Sequence, residues 1–586
     1  MRRGRRLLLL LLLPLAARAG DTYEEKQILR ALAELGVERE PRPEGQVVEA
    51  VLMVRYEVFV ADEPFPTLPN ALHVVTTEAT VRAELLLAPG QPYVRAKVEE
   101  SERNLRDLKL FAVAAVLPIK GSVPGRVRLL VVTRDLWSLR LEWGLQFSEG
   151  RIDDLLLQVA ERNLLGQNQR VLGRFRLDPL AWSAGAYFVD RRLMGQKLHL
   201  QPEADAFFRR ADGRFEGMSA RLAIARPFYD QDQATGFQID GRVEDRVMRQ
   251  VRGGAVLLWN DPAFDGDEAI PQVYRAEVLQ TRAIYQRQWA RGQVWQLTSG
   301  VGATRFQATP DEEVVLPRQN RPGFRALVMP QQRMRVYPLL AGSVSSNRFK
   351  TFTDLAAYGV SEDVRLGPSL RVNLEAPLAV LGSTANALEV EAAATFAGSP
   401  GAWLLEAAAA GEARFEGSEV LDQALVGRLR LATPRLVVGR LLLRGDWTWR
   451  AQNTTRTPLA LGANNGLRGY PADHFFALTG QRLRFNTEYR SVPLVWSFLH
   501  LGGVLFYDAG SIYGQGRALD MQHVLGVGAR VLFPQFYREV FRLDVGMPVE
   551  GGFLVRFTGG TGQAVPVLER EDVAFDRPIG GLPNQP

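Results

Sequence analysis

The residues able to do chemistry in this 586-residue chain are few, and several kinds are missing. There is no cysteine, which excludes disulfides, thiolate metal sites and cysteine nucleophiles. Five histidines (His73, His199, His474, His500 and His523) lie scattered and never paired, which argues against a histidine metal site or a Ser-His-Asp triad. Asp261, Asp265, Asp267 and Glu268 form an acidic run, but its spacing is wrong for an EF-hand and it reads as a solvated outer loop. No G-x-S-x-G, P-loop or G-x-G-x-x-G occurs. The expectation is a protein that is not an enzyme and holds no cofactor. One polar constellation remains. Leu467, Arg468, Gly469 and Tyr470 lie in a loop, and Glu488, Asp508 and Gly510 follow it on two strands. An arginine folded back from that loop could make a planar two-bond contact with Asp508 that lysine could not copy. Gly469 permits the tight backbone this needs, and Tyr470 packs the tip.

Period two runs through the strands that position these residues. Leu441, Leu443, Trp447 and Trp449 share one face, opposite Arg440, Arg444, Asp446, Thr448 and Arg450, with Leu442 breaking the rule. Leu483, Phe485 and Tyr489 alternate with Arg484, Asn486 and Glu488. Asp508 falls on the side of Gly502, Phe506 and Gly510, and Phe541, Leu543, Val545 and Met547 oppose Arg542 and Asp544. Charged residues on one face and large apolar ones on the other suit a membrane barrel with a wet lumen. A soluble sandwich of stacked sheets has the same period and stays open as a rival. Trp137, Trp143, Trp447, Trp449, Tyr489 and Trp496 are candidates for an interfacial girdle. Strands of ~10 residues over 137–563 predict about 16 of them, hence a mainly β chain. The first and last strands must meet at a seam. Leu139 and Leu141 on one side and Phe553, Val555, Phe557 and Gly559 on the other are its candidates.

The formal charge of +6 is mild for this length, and no Lys/Arg-rich block follows the first six residues, so nucleic acid is not an expected partner. Residues 1–19 read as a signal peptide: Arg2, Arg3, Arg5 and Arg6, a short leucine run, then Ala17-Arg18-Ala19 before the cut. Residues 20–46 follow as an N-terminal segment. Over 47–135 the pattern is β-α-α-β-β. Val98, Ser101, Leu105 and Leu108 share a helix face that Glu99, Glu100, Arg103 and Arg106 avoid. Residues 564–586 read as a Pro-containing tail.

The module order, with TVRAELLLAPGQPYVRAKVEESERNLRDLKLFAVAAVLP, resembles a POTRA (polypeptide-transport-associated) domain. Further on, Gly466–Tyr470, then Asn486-Thr487-Glu488-Tyr489-Arg490, then Phe506-Tyr507-Asp508-Ala509-Gly510 resemble, in that order, the barrel of the BamA/TamA outer-membrane assembly superfamily, whose members share the bacterial surface antigen domain. Asn163 and Gly166 resemble the family's early turn, and Phe541–Gly546 its penultimate strand. The resemblance implies one POTRA-like domain in the periplasm before a transmembrane β-barrel in the outer membrane of a Gram-negative-type bacterium. It implies that the inward loop braces the wall near the seam. It further implies a role in inserting or translocating polypeptides. The partners would be unfolded outer-membrane or secreted chains, the lipid bilayer, and accessory proteins of the periplasm or inner membrane. The alternatives are a two-partner-secretion-type exporter of one dedicated protein, and a passive porin or structural barrel.

Overall fold

A computed structural model describes residues 23–560, apart from 60–69, 72, 149–150, 253–254, 262–268, 313, 357, 359–360, 472, 497–498, 537–539 and 550–555. The expected signal peptide and tail, Phe553, Val555, Asp265, Asp267 and Glu268 lie outside the described residues. No described helix is long and apolar enough to cross a membrane.

The N-terminal module is a three-stranded sheet between helices. Strand β1 (Val47–Tyr56) pairs in parallel with β3 (Arg126–Asp135), and β2 (Phe111–Lys120) pairs antiparallel with β3 on its other side. Helices α2 (Glu78–Arg82) and α3 (Arg95–Asp107) follow β1. Val98, Ser101 and Leu105 of α3 are buried, as the helical spacing predicts. They close one face of the sheet together with Val48, Phe111, Leu129 and Val131. The segment 20–46 proves to be more than a lead-in. Its helix α1 (Tyr23–Leu35) sets Ile28, Ala31 and Leu32 against Leu52, Val54, Ala115, Ile119 and Val132 on the opposite face. Strands whose two faces are both apolar need cover on both sides, and α1 supplies the second.

From Leu139 to Gly560 the chain is one closed antiparallel barrel. Its wall opens with β4 (Leu139–Ser148) and β5 (Arg151–Leu164). Its last six staves are β6 (Gly439–Ala451), β7 (Gly480–Ser491), β8 (His500–Tyr513), β9 (Gln522–Leu532), β10 (Phe541–Pro548) and β11 (Arg556–Gly560). Among the described residues twenty-two strand segments pair into the barrel. In two places consecutive segments run end to end against one neighbour, which leaves twenty staves. The expected number of about 16 is therefore too low. Several turns are very short, such as the single Gly292 between 273–291 and 293–310. The earlier strands are also rich in alanine, as in Ala407–Ala410, which blurs the alternation that marks a strand.

The two faces separate as expected. Val159, Ile239, Leu279, Val301, Leu429, Leu505 and Val527 are each at least half exposed on the outer wall. The lumen face carries ion pairs such as Arg174–Asp205, Arg335–Glu375 and Arg428–Asp446. A water-soluble sandwich would bury the first set and expose the second, so a lipid-facing wall fits and stacked sheets do not. The girdle is partly built from other residues than expected. Trp289 faces Trp295 across a hairpin near the module rim, and Trp182 stacks on Phe208 with ring centroids 4.1 Å apart near the opposite rim. Trp496 is exposed, but Trp137 lies among Phe59, His73 and Phe536 where the module meets the barrel.

We call the rim that carries the module the inner rim and the opposite one the outer rim; turns of the inner rim hold the module down. Arg106 of α3 pairs with Asp363 at 2.6 Å, Lys97 with Asp232 at 2.9 Å, and Asn104 donates to the Tyr229 carbonyl. Glu84 pairs with Arg192, and the backbone N–H of Trp137 donates to Gln535. These partners are spread around the circumference, so α3 lies across the inner mouth. Its polar face, which the spacing alone would leave in water, faces the barrel. At the outer rim, loops 250–272 and 311–332 form a cap over an apolar core of Ile270, Tyr274, Phe306 and Phe324. Asp261 is buried there and accepts a hydrogen bond from Asn320, so this first residue of the acidic run is not solvated.

Candidate functional site

The 452–479 loop enters the lumen from the outer rim and carries Arg468 to a fully buried position, 1% exposed. Three staves converge on its guanidinium. Asp508 of β8 accepts from Nε and Nη2, each at 2.8 Å, and from the Arg468 backbone N–H at 3.2 Å. Glu488 of β7 accepts from Nη1 at 2.6 Å, and Asp544 of β10 from the same nitrogen at 3.1 Å. The Phe506 ring lies under the guanidinium, 3.6 Å from its carbon. Arg468 and Asp508 are thus joined by a two-bond contact. Asp544 is the carboxylate that loop-and-strand reasoning missed. Alternation already placed it on the lumen face, but nothing local gives its height along the wall.

A second ring of cations compensates these acids. Arg490 donates to Glu488 Oε2 through Nε at 2.9 Å, Arg530 to Asp544 at 2.5 Å, and Arg542 to Asp544 at 3.3 Å. Asn486 donates to both Asp508 and the Gly466 carbonyl. Buried charges persist only when paired and hydrogen-bonded, and each member here has several partners. Asp446 anchors a neighbouring centre with Arg428, Arg444 and Arg484, and Arg484 also donates to the Asn465 carbonyl on the loop.

Backbone geometry lets the loop come this close. Gly469 has φ +112°, a conformation side chains resist, and its α-carbon faces Gly546 of β10. A Cβ on Gly546 would lie 2.5 Å from the Arg468 carbonyl oxygen. Gly510 likewise leaves room for Leu461. Leu467 is fully buried among Leu461, Val504 and Val524, and the Tyr470 hydroxyl donates to Gln522 at 3.0 Å. Gly546→Val should therefore expel the loop, destabilising the barrel by about 1–3 kcal/mol as overpacking does. A drop in the temperature at which the barrel loses its compact migration in a detergent gel measures it. Unchanged migration would show that the loop backbone is not seated on Gly546.

The early turn has a different place. Asn163 donates to the Thr76 hydroxyl at 2.9 Å, and the Gly166 carbonyl accepts from the Thr77 N–H and the Thr80 hydroxyl. Asn163 and Gly166 thus seat the start of α2 on the inner rim, far from Arg468 in the chain. Beside them His73 lies between Asp135, 3.1 Å from Nε2, and Ser138, 3.3 Å from Nδ1. The three residue types of a hydrolytic triad do meet here, contrary to the reading of scattered histidines. All three are buried, and Ser138 also donates to Glu161, so the cluster is built as a joint between module and wall. Burial raises the Glu57 carboxyl above its usual range, with Asp135 adding to the rise and His73 opposing it.

At the seam, β11 pairs with β4 at three positions among the described residues: Phe557↔Phe147, Thr558↔Gln146 and Gly559↔Leu145. The pairing between 273–291 and 293–310 has eighteen. Leu139 and Leu141 are on the outer face, 50% and 53% exposed.

No family model and no curated protein matches the chain. Similar solved structures include BamA from Haemophilus ducreyi lacking POTRA domains 1–3, at 10% identity and TM-score 0.34, covering 88% of this chain and 84% of that one. CdiB from Acinetobacter baumannii is at 8% identity and TM-score 0.41, covering 88% and 73%. CdiB from Escherichia coli is at 9% and 0.41, covering 88% and 76%. At these levels of similarity no function carries over to this chain.

Proposed function

We propose that this chain is an outer-membrane barrel protein that assists insertion or translocation of polypeptides, with its N-terminal module in the periplasm. The observation that carries the reading is the Arg468 centre. It ties an outer loop to β7, β8 and β10, and β10 is the neighbour of β11, the seam stave that meets β4 at three described positions. A wall that needed only to be closed would not require a fully buried cation held by three acids on three staves of its last part. The β-α-α-β-β order of the module supports a POTRA reading, and backbone groups at a sheet edge can hold an extended chain without demanding its sequence. A passive porin fits less well, because α3 crosses the inner mouth and the 452–479 loop occupies the lumen. Depletion followed by proteomics of the outer membrane and the medium tests the reading. The expected result is loss of a defined set of barrel or secreted proteins. Unchanged proteomes, with large conductance that needs no substrate, would overturn it.

A further inference from the structure

A second loop reaches into the lumen from the module side. It follows the 348–353 strand, and its described residues Leu355 and Tyr358 are 2% and 5% exposed. They reach across to staves near the Arg468 centre. Leu355 packs with Leu404, Ala432 and Leu442, and Tyr358 with Leu532 and Val540. Leu442 is the residue that broke the alternation of β6, an apolar side chain on a charged face. It is fully buried as the seat of this strap. Gly502 of β8 is another departure: a Cβ there would lie 2.4 Å from the Tyr358 hydroxyl oxygen. The Tyr358 carbonyl accepts from His500, while its hydroxyl is buried with no hydrogen-bond partner among the described residues. An unsatisfied buried hydroxyl costs free energy, so the seat holds the strap less firmly than its apolar contacts suggest.

One side chain joins the strap to the outer loop. Arg490 holds Glu488 Oε2 through Nε and Nη2 and donates through Nη1 to the Leu355 carbonyl at 3.2 Å. The other oxygen of Glu488 accepts from Arg468. On the strap's far side Glu362 accepts from the backbone N–H of Leu355 and Ala356, and its neighbour Asp363 holds Arg106 of α3. We infer that Arg490 couples the two closures, so that withdrawal of Arg468 from the wall loosens the inner strap. With Arg468 gone, Glu488 is left to Arg490 and to the more distant Arg530, and the guanidinium is drawn from the Leu355 carbonyl toward the acid. Two sites are coupled when one physical element has two arrangements that both bias, and the Glu488–Arg490 pair is that element. The inference rests on lumen geometry and not on what the protein transports.

The chain's lack of cysteine makes the test clean. Leu442→Cys places a thiol beneath the strap, and its maleimide labelling is followed on the purified full-length barrel. Labelling should be slow in that background and faster by about tenfold when Arg490→Ala, Arg468→Ala or Glu488→Gln is added, within the usual range of coupling energies. Arg468 has no bond to the described residues of the strap, so a purely local role for Arg490 would leave labelling in Arg468→Ala unchanged. Glu488→Gln keeps the side-chain volume and guards against a folding defect, and compact migration in a detergent gel confirms each barrel is closed. Unchanged labelling in Arg468→Ala and Glu488→Gln overturns the coupling, whatever Arg490→Ala does.

Discussion

Arg468→Ala should be among the most damaging single substitutions in this barrel, lowering its stability by about 3–5 kcal/mol, the cost of removing one partner from a buried ion pair. The side chain is 1% exposed and contacts Asp508, Glu488 and Asp544, each on a different stave. Taking it away leaves three acids on the lumen face. Glu488 and Asp544 keep Arg490 and Arg530, but Asp508 loses both side-chain bonds and, among the described residues, retains only Asn486 and the backbone N–H of residue 468. Asp508→Ala should be almost as harmful, since it strips the guanidinium of its two-bond partner. The two losses should not add. Once either partner is gone, removing the other relieves an unpaired charge, so the double variant should lie close to the worse single one. Urea midpoints of the four proteins in detergent micelles form the cycle. Additive losses would show that Arg468 and Asp508 act independently. Arg468→Lys should recover little, because an ammonium cannot present a planar fork to Asp508 while also reaching Glu488.

Much of this centre was legible in the sequence because period two fixes which face a residue takes. Asp508 shares its face with Gly502, Phe506 and Gly510, and Glu488 with Arg484 and Asn486, so both had to look inward. Asp544 met the same rule, yet its place beside Arg468 depends on register across four staves, and register is set by turns and packing that no local pattern encodes. The wall before β6 was harder to count for a related reason. Alanine suits either face, so Ala407–Ala410 carries little alternation. Leu442 was visible as an exception without an explanation, since its reason lies in Leu355, distant in the chain. Trp137 shows the opposite failure. An aromatic at a strand end fits a lipid interface, but this one packs where β3 of the module leads into the wall. The polar face of α3 looked solvated because a helix spacing reports which side is apolar, not what the polar side meets.

Locking the seam should abolish activity if the wall opens sideways to work. Gly559 of β11 and Leu145 of β4 are directly opposed in the ladder. Opposed residues on antiparallel strands have Cα atoms about 4.5–5.5 Å apart and point to the same face, which lies within the span a disulfide bridges. With no native cysteine to compete, Gly559→Cys with Leu145→Cys can form one bond only. A covalent link would hold two staves that otherwise depend on three described pairs, while the long 273–291 and 293–310 pairing would be untouched. The oxidised protein should keep its compact gel migration and lose its effect on client proteins in depleted cells, and reductant should restore it. A matched control links Trp289→Cys to Trp295→Cys, opposed across that long hairpin, and should leave activity intact. Full activity in the oxidised seam variant would mean that clients pass without the wall parting, leaving the lumen as their route. The 452–479 loop and the strap at Leu355 would then have to leave it, which makes seam and lumen separable by these two cysteine pairs together with the labelling of Leu442→Cys.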